Sequence, residues 1–539
     1  MSDPGRNPQL GFPWRAFAAL ADCFPRPVPV WMTAFVLLLL LGAQLSNHAI
    51  DLDHFHQMAL ARESLNAGRL LIEDPYAFTP TVSPFIHHEW GHGFLCLFLV
   101  RELGAIGLIL LKLLLITLLA VCCCAVARVR GAKWQTVILL AFPVLCVFSL
   151  GMTTVRAQLF TFLGLAFTLL VLEKDRARSP RRLLWWFTWL VYLVLWTNLH
   201  GGFVIGPAVL GLHGIEQLLR RRPFLHLLPV GAAAFLATLI NPYGIELHRC
   251  LLHALTLDRP HIREWYPLWK LPWQTYLPFI LLLALSVIPP LAAVRRAGLS
   301  ALDGIAVIVF LGLESVLHLR FIPLYAIAWL CCAPRWAEYA LSPDRWAGAR
   351  RLLRPWGVAA LVFVLVGSLT GFANRRPFEI SVAAMSRKGH ASYPVGAVEY
   401  LRAGRISCRL MTHYNDGAYV MWHLYPRVTI SMDGRYEAAY PPQLAEENFA
   451  LYSAFPGWRD TLAAREPDAI LCHVTRALAP ELLRLEAEGW CRAYIDHEFI
   501  LCCRPGLDWP IVDRRGETLI GDFEKHVRAP ALPGWHDRP

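Results

Sequence analysis

The sequence predicts an α-helical polytopic membrane bundle with a C-terminal extracytoplasmic α/β domain. Three observations predict it: a 56% hydrophobic composition over 539 residues, a series of apolar runs long enough to cross a bilayer, and a regular alternation of basic residues between the turns joining those runs. The apolar runs fall near 28–47, 104–127, 134–150, 157–173, 184–198, 203–219, 225–240, 275–294, 300–318, 321–341 and 355–373, about 11 spans in all. The run at 321–341 is the weakest, because Pro323, Pro334 and Arg335 interrupt it.

Lys and Arg near span ends stay on the cytoplasmic side during insertion. With a cytoplasmic N-terminus that face receives Arg6, Arg15 and Arg26, the Arg128–Lys133 turn, the 174–182 loop, Arg220 to Arg222, Arg295 and Arg296, and five arginines between 335 and 354. The opposite loops are longer and hold fewer. An odd number of spans then places residues 374–539 outside the cytoplasm, after a membrane domain of residues 1–373 with a large first outer loop at 48–103. The expected location is a bacterial inner membrane, in contact with its lipids.

The net charge of +11 is spread along the turns as topogenic arginine and forms no continuous basic face, so no nucleic-acid partner is expected. The first 26 residues lack the short apolar core and cleavage site of a removable signal, and the first span is expected to be a retained anchor. The fourteen cysteines include no C-x-x-C pair; Cys122 to Cys124, Cys331 and Cys332 read as small hydrophobes within spans. Cys408, Cys472, Cys491, Cys502 and Cys503 lie in the C-terminal domain, where an oxidising compartment permits a disulfide.

Sorting by face locates the chemistry. Of the histidines before residue 374, His48, His54, His56, His87, His88, His92, His200, His248, His253, His261 and His318 fall at outer positions, and only His213 and His226 do not. The first outer loop opens with Asp51-Leu52-Asp53, followed by HFHQMALARESLNAG, whose Met58, Leu60, Ala61 and Leu65 suit a helix lying on the membrane surface. Carboxylates there can hold a divalent ion such as Mg or Mn, or accept a proton from a hydroxyl; a solvated helix cap is the bland reading. The loop ends in HHEWGH, in which residues 88–92 read H-E-x-x-H, a pattern that on a helix lets His88 and His92 bind zinc with Glu89 as general base. A zinc membrane protease is therefore one reading. Asn241-Pro242-Tyr243-Gly244 resembles the distal motif of site-2 proteases, but Tyr243 stands where the metal-binding Asp belongs.

The order of Asp53, the helix ending at Gly68, DPYAFTPTVSPF and Glu89 resembles the first loop of the GT-C glycosyltransferases, polytopic enzymes that use polyprenyl-phosphate sugars and include aminoarabinose and galacturonosyl transferases. The resemblance implies Asp53 as the catalytic acidic residue of the first loop and Glu89 as the carboxylate of the second motif, where the usual Glu-x-Pro-Pro is Glu89-Trp90-Gly91-His92. Further landmarks, WTNLHGGF, INPYGIEL, IREWYPL, LRFIPLYA, YNDGAYVMWHLYP and MDGRYE, are similar to those of a bacterial membrane-protein group placed loosely in GT-C.

On this resemblance the expected function is transfer of a sugar from a polyprenyl-phosphate donor to a lipid, glycan or protein acceptor on the extracytoplasmic face. Asp53 accepts the acceptor proton or coordinates metal, and Asp51 and Glu89 position metal or sugar. Arg320 or Arg156 meets the lipid phosphate with a guanidinium fork. His200 and His318 are expected with them among the substrate- and lipid-phosphate-binding residues, and Glu264 with Trp265 suits a sugar, although Trp265 equally suits an interfacial anchor. A non-catalytic component that binds or transports a lipid-linked saccharide is the alternative. In the C-terminal domain, strands are expected at 409–413, 427–431, 468–474, 492–496 and 499–504 and helices at 443–454 and 477–489. Asp433-Gly434-Arg435 reads as a turn after a strand.

Overall fold

The computed structural model describes residues 50–148, 154–257, 259–340 and 393–515, with Gly42 and two short strands at 381–383 and 521–522. The expected spans 28–47 (apart from Gly42) and 355–373, and the division at 373, lie outside the described residues. The chain runs from α1 (Asp53–Ala67) and α2 (Trp90–Leu103) into an apolar bundle: α3 (Ala105–Val129), α4 (Trp134–Phe148), α5 (Gln158–Arg176), α6 (Arg182–Leu199), α7 (Ile205–Leu219), α8 (Leu227–Thr238), a connecting α9 (Ile245–Thr256), α10 (Leu277–Leu285), α11 (Ile288–Ala297), α12 (Ile305–Leu317) and α13 (Ile322–Ala340). Every expected span within the described residues is helical. Three segments, Ala105–Val129, Gly201–Leu219 and Trp273–Ala297, are long and apolar enough to cross a membrane by length and composition.

The run that looked weakest forms a central helix. Leu324 through Ala333 and Trp336 of α13 are buried in the main apolar core, so this helix meets protein rather than lipid and tolerates Pro334. Pro323 falls in its first turn, where no intrahelical N–H is needed. At one end of the bundle the arginines of the turns are tied to acids: Arg130 and Arg176 to Glu173, and Arg222 to Asp303 at 2.7 Å.

Residues 393–515 form a mixed sheet with helices around it: α14 (Val395–Ala403), β1 (Cys408–Met411), α15 (Tyr414–Leu424), β2 (Val428–Ile430), α16 (Pro442–Tyr452), α17 (Trp458–Arg465), β3 (Ala469–His473), α18 (Leu478–Arg484), β4 (Cys491–Ile495), β5 (Phe499–Cys503) and β6 (Val512–Asp513). The strand order is β2-β1-β3-β5-β4-β6; β1 is parallel to β2 and β3, and β5 is antiparallel to β3 and β4. Asp496 closes the hairpin between β4 and β5, its Oδ1 accepting from the amides of Glu498 and Phe499 at 2.7 Å each. The five cysteines of this layer are thiols, with Cys491 and Cys503 opposite one another across β4 and β5.

Two contacts weld the first loop to this layer. Residues 76–78 add to the β2 edge, the Ile430 amide donating to the Tyr76 carbonyl at 3.0 Å and the Phe78 amide to the Ile430 carbonyl at 3.0 Å. Helix α1 is covered on both sides, against α2 and against α15, where Phe55 packs edge-on to Tyr419 at 5.0 Å. Residues 54–62 are consequently buried without a break. This corrects the surface-helix expectation: the helix is present, but its polar residues from His54 to Arg62 are buried within the protein. Gly68 ends it in the left-handed conformation at φ 64°.

Candidate functional site

A cavity of about 560 Å³ opens between the loops at one end of the bundle and the C-terminal layer. It brings together Asp51, Asp53, His88, Glu89, Arg156, His200, Glu264, Trp265 and Arg320. Its wall also takes in Gly434 to Ala438 from the C-terminal layer. His318 and His92 do not line it.

The approach to α1 places the two aspartates differently. Asp51 is drawn to the 155–156 segment: its amide donates to the Val155 carbonyl at 3.3 Å and its Oδ2 pairs with Arg156 Nε at 2.9 Å. Arg156 also binds Glu264 Oε1 at 3.1 Å. Burial disfavours the Arg156 cation, but Asp51 and Glu264 outweigh it and hold the guanidinium charged. Asp53, two residues on, keeps 44% of its side chain open to the cavity, and its nearest ion-pairing contact is His56 Nδ1 at 3.8 Å. Enclosure by the protein, with Asp51 and Glu89 nearby, raises its pKa well above the ordinary carboxylate range. Gly434 is set against it: a Cβ there would lie 3.1 Å from Asp53 Oδ1.

Glu89 is the residue before α2 and is held from two directions, by the Gln57 side-chain amide and by His200 Nε2 at 3.3 Å. The His200 tautomer follows from its other nitrogen, since Nδ1 accepts from the Gly202 amide at 2.9 Å and stands 2.7 Å from Thr161 Oγ1. Nε2 therefore carries the hydrogen and presents it to the Glu89 side. Burial, reinforced by Arg320, depresses the His200 pKa well below its usual value, so the ring is neutral. Burial raises the Glu89 pKa.

Across the cavity Arg320 and Arg259 lie over the Trp265 ring, 4.5 and 4.3 Å from its centroid. Arg259 pairs with Glu437 of the C-terminal layer. Arg320 has no ion-pair partner among the described residues, and burial lowers its pKa. His318 stands behind Trp265, ring centroids 5.5 Å apart, with its Nδ1 3.1 Å from Glu314.

The described carboxylates do not converge on a single point, as a hard-cation site requires, and Asp51 already carries a guanidinium. H-E-x-x-H is not presented on one helical face either. His88 and Glu89 lie in the turn before α2 begins at Trp90, and His88 packs beside Gly201 while His92 turns inward toward His54 and Cys96. The zinc-protease arrangement is absent among the described residues.

No protein-family model and no curated protein sequence matches the chain. Solved membrane-protein structures do match its fold. The archaeal oligosaccharyltransferase AglB from Archaeoglobus fulgidus, in complex with an inhibitory peptide and a dolichol-phosphate, aligns at TM-score 0.53 and 10% identity over 82% of this chain and 69% of that one. ArnT from Cupriavidus metallidurans, bound to undecaprenyl phosphate, aligns at TM-score 0.50 and 14% identity over 88% of this chain and 97% of that one. The chain shares the fold of these two proteins. At such identities the likeness fixes architecture and leaves chemistry to the site itself.

Within this fold, sequence reasoning missed the contribution of the C-terminal layer. Arg435, read as part of a turn, is a buried cation that lines the cavity and pairs with Asp74 of the first loop at 2.8 Å and Asp433 at 2.9 Å. It also donates to Tyr440 Oη at 3.0 Å. The signal was present as MDGRYE beside DPYAFTP, two short motifs each with a charge that demands a partner. Gln57 was missed because nothing in a helix sequence says which neighbour its amide meets.

Proposed function

We propose that this protein is an inverting glycosyltransferase that moves a sugar from a polyprenyl-phosphate carrier to an acceptor hydroxyl or amide on the extracytoplasmic face. The reading includes the orientation given by the basic turns: cytoplasmic N-terminus, C-terminal layer outside, in a bacterial inner membrane. The observation that carries it is the meeting, in one cavity, of a carboxylate of raised pKa, Asp53, and a guanidinium, Arg320, that has no ion-pair partner among the described residues.

Asp53 takes the acceptor proton as the acceptor atom bonds to the anomeric carbon. The bond from that carbon to the phosphate oxygen breaks on the opposite face, and the released polyprenyl phosphate gains a negative charge, which Arg320 stabilises. Glu89, fixed by Gln57 and His200, is suited to sugar hydroxyls, and Trp265 offers a flat apolar face. Asp51, Arg156 and Glu264 act as a positioning set that orients the start of α1. A divalent ion at Asp51 and Asp53 would have to displace Arg156 from Asp51.

The test is transfer from a polyprenyl-phosphate sugar by purified protein, with mass spectrometry of the lipid that copurifies. Asp53→Asn should abolish transfer and leave both the melting temperature and the copurified lipid unchanged. Full activity in that variant removes the assignment of the base. A carrier that copurifies with no turnover of any donor would instead mark the protein as a binding or transport component.

A further inference from the structure

Beside the cavity, and apart from the acid–base set, a second cluster lies between α1 and α2. We propose that His54, His92 and Cys96 form a binding site for a thiophilic divalent ion of the zinc class, held by two imidazole nitrogens and one thiolate, with its fourth position free for water. All three residues are buried, at 0 to 1% exposure, and their ligand atoms lie within 4.8 Å of one another.

The sequence builds this cluster by two simple devices. His92 and Cys96 are four residues apart on α2 and so share a face. Gly93 brings α1 against that face: a Cβ there would fall 2.4 Å from the Gln57 carbonyl oxygen, so only glycine permits the crossing that sets His54 opposite. The His54 and His92 rings meet edge to face at 4.9 Å, and Cys96 Sγ is 3.4 Å from His92 Nδ1.

The unspent valence points to a ligand. Neither nitrogen of His54 has a hydrogen-bond partner among the described residues, although both are buried. A neutral imidazole has one N–H and one lone pair, and leaving both unmet inside a protein is costly. Neutral imidazole is the form that binds metal. Tetrahedral zinc sets its ligand atoms roughly 3.3–3.6 Å apart, from bonds of about 2.0 and 2.3 Å. The widest separation here needs to close by about 1 Å, within reach of side-chain rotation. Binding forms the metal–sulfur bond and releases the Cys96 thiol proton to solvent. His54 lines the cavity, which supplies the entry path. His54 follows Asp53 and His92 lies three residues beyond Glu89, so an ion here clamps together the two helices whose starts carry those carboxylates. The site stands independently of the glycosyltransferase reading.

The test uses the full chain in detergent, stripped with chelator and titrated with cobalt(II). One equivalent should bind, with a thiolate-to-cobalt charge-transfer band in the near ultraviolet that zinc abolishes by competition. Cys96→Ser should lose the band, His54→Ala should weaken binding at least 10-fold, and His88→Ala should change neither. Absence of the band in the unmodified protein overturns the proposal on its own, whether or not the variants fold. Binding that survives Cys96→Ser but disappears in His88→Ala overturns it in favour of the H-E-x-x-H residues.

Discussion

Replacing Arg435 with Met tests whether the C-terminal layer is clamped to the first loop by charge. The Arg435 side chain is 2% exposed, and both carboxylates it serves, Asp74 and Asp433, are 0% exposed. Removing one partner of a buried ion pair costs about 3–5 kcal/mol, because the remaining charge is left without compensation. Two carboxylates are stranded here, so the estimate is a lower bound. At about 1.4 kcal/mol per tenfold, the population with the loop detached rises by a factor of about 10² to 10³ or more. The readout is local: the Phe78 and Ile430 amides donate across the seam between the loop and β2, and their hydrogen-exchange protection should fall by that factor. Asp74→Asn with Asp433→Asn in the Arg435→Met background should recover much of it, since a neutral trio needs no cation. Protection that drops less than tenfold would refute the idea of a solvent-excluded clamp, and lost transfer with unchanged protection would move Arg435 into direct substrate contact.

Other outcomes follow from the same geometry. As a base Asp53 works ionised, and its pKa is raised, so kcat/KM should climb as pH increases through that elevated pKa and fall away below it; Arg156→Gln, which removes a cation that lowers it, should move this limb to higher pH. Arg320→Gln should raise KM for a polyprenyl-phosphate donor at least tenfold and change the melting temperature little, because no ion pair is lost among the described residues. Gly93→Ala should destabilise by about 1–3 kcal/mol in thermal unfolding, since the added Cβ would meet the Gln57 carbonyl at 2.4 Å and force α1 from α2.

Much of the fold was legible because hydropathy and length speak directly to a bilayer, and the helices fall where the apolar runs do. The C-terminal strands were legible for a similar reason: short runs such as Ala469–His473 are apolar over their first four residues and bounded by turn residues. The environment of each element was not. The segment Asp53–Ala67 has a mixed, weakly periodic sequence that suits an interface, yet it is buried because α15 covers its second face. The helix Tyr414–Leu424 was not anticipated, since its aromatic and β-branched residues read equally well as irregular chain. Residues 76–78 join a sheet edge whose other strand lies some 350 positions away, a pairing that no local pattern encodes.

At the site, the sequence chose Asp53 over Asp51 only through the family resemblance and left Arg156 against Arg320 open, because members of each pair have the same chemistry and the same face. Pairing in space separates them. Asp51 and Arg156 neutralise each other at 2.9 Å, and Glu264 adds a second acid to the same guanidinium. A carboxylate so engaged is a poor base, and a guanidinium serving two carboxylates has little left for a phosphate. Asp53 and Arg320 are free of that engagement: Asp53 has only His56 at 3.8 Å, and Arg320, like the exposed Arg263, has no ion-pair partner among the described residues. A displacement needs these two in different places, one beside the attacking atom and one beside the departing phosphate. Trp265 lies under Arg320 and Gly434 against Asp53, so the two groups are supported by different parts of the chain, the bundle loops and the C-terminal layer. A change that loosens that layer should therefore disturb the base before it disturbs binding of the carrier phosphate.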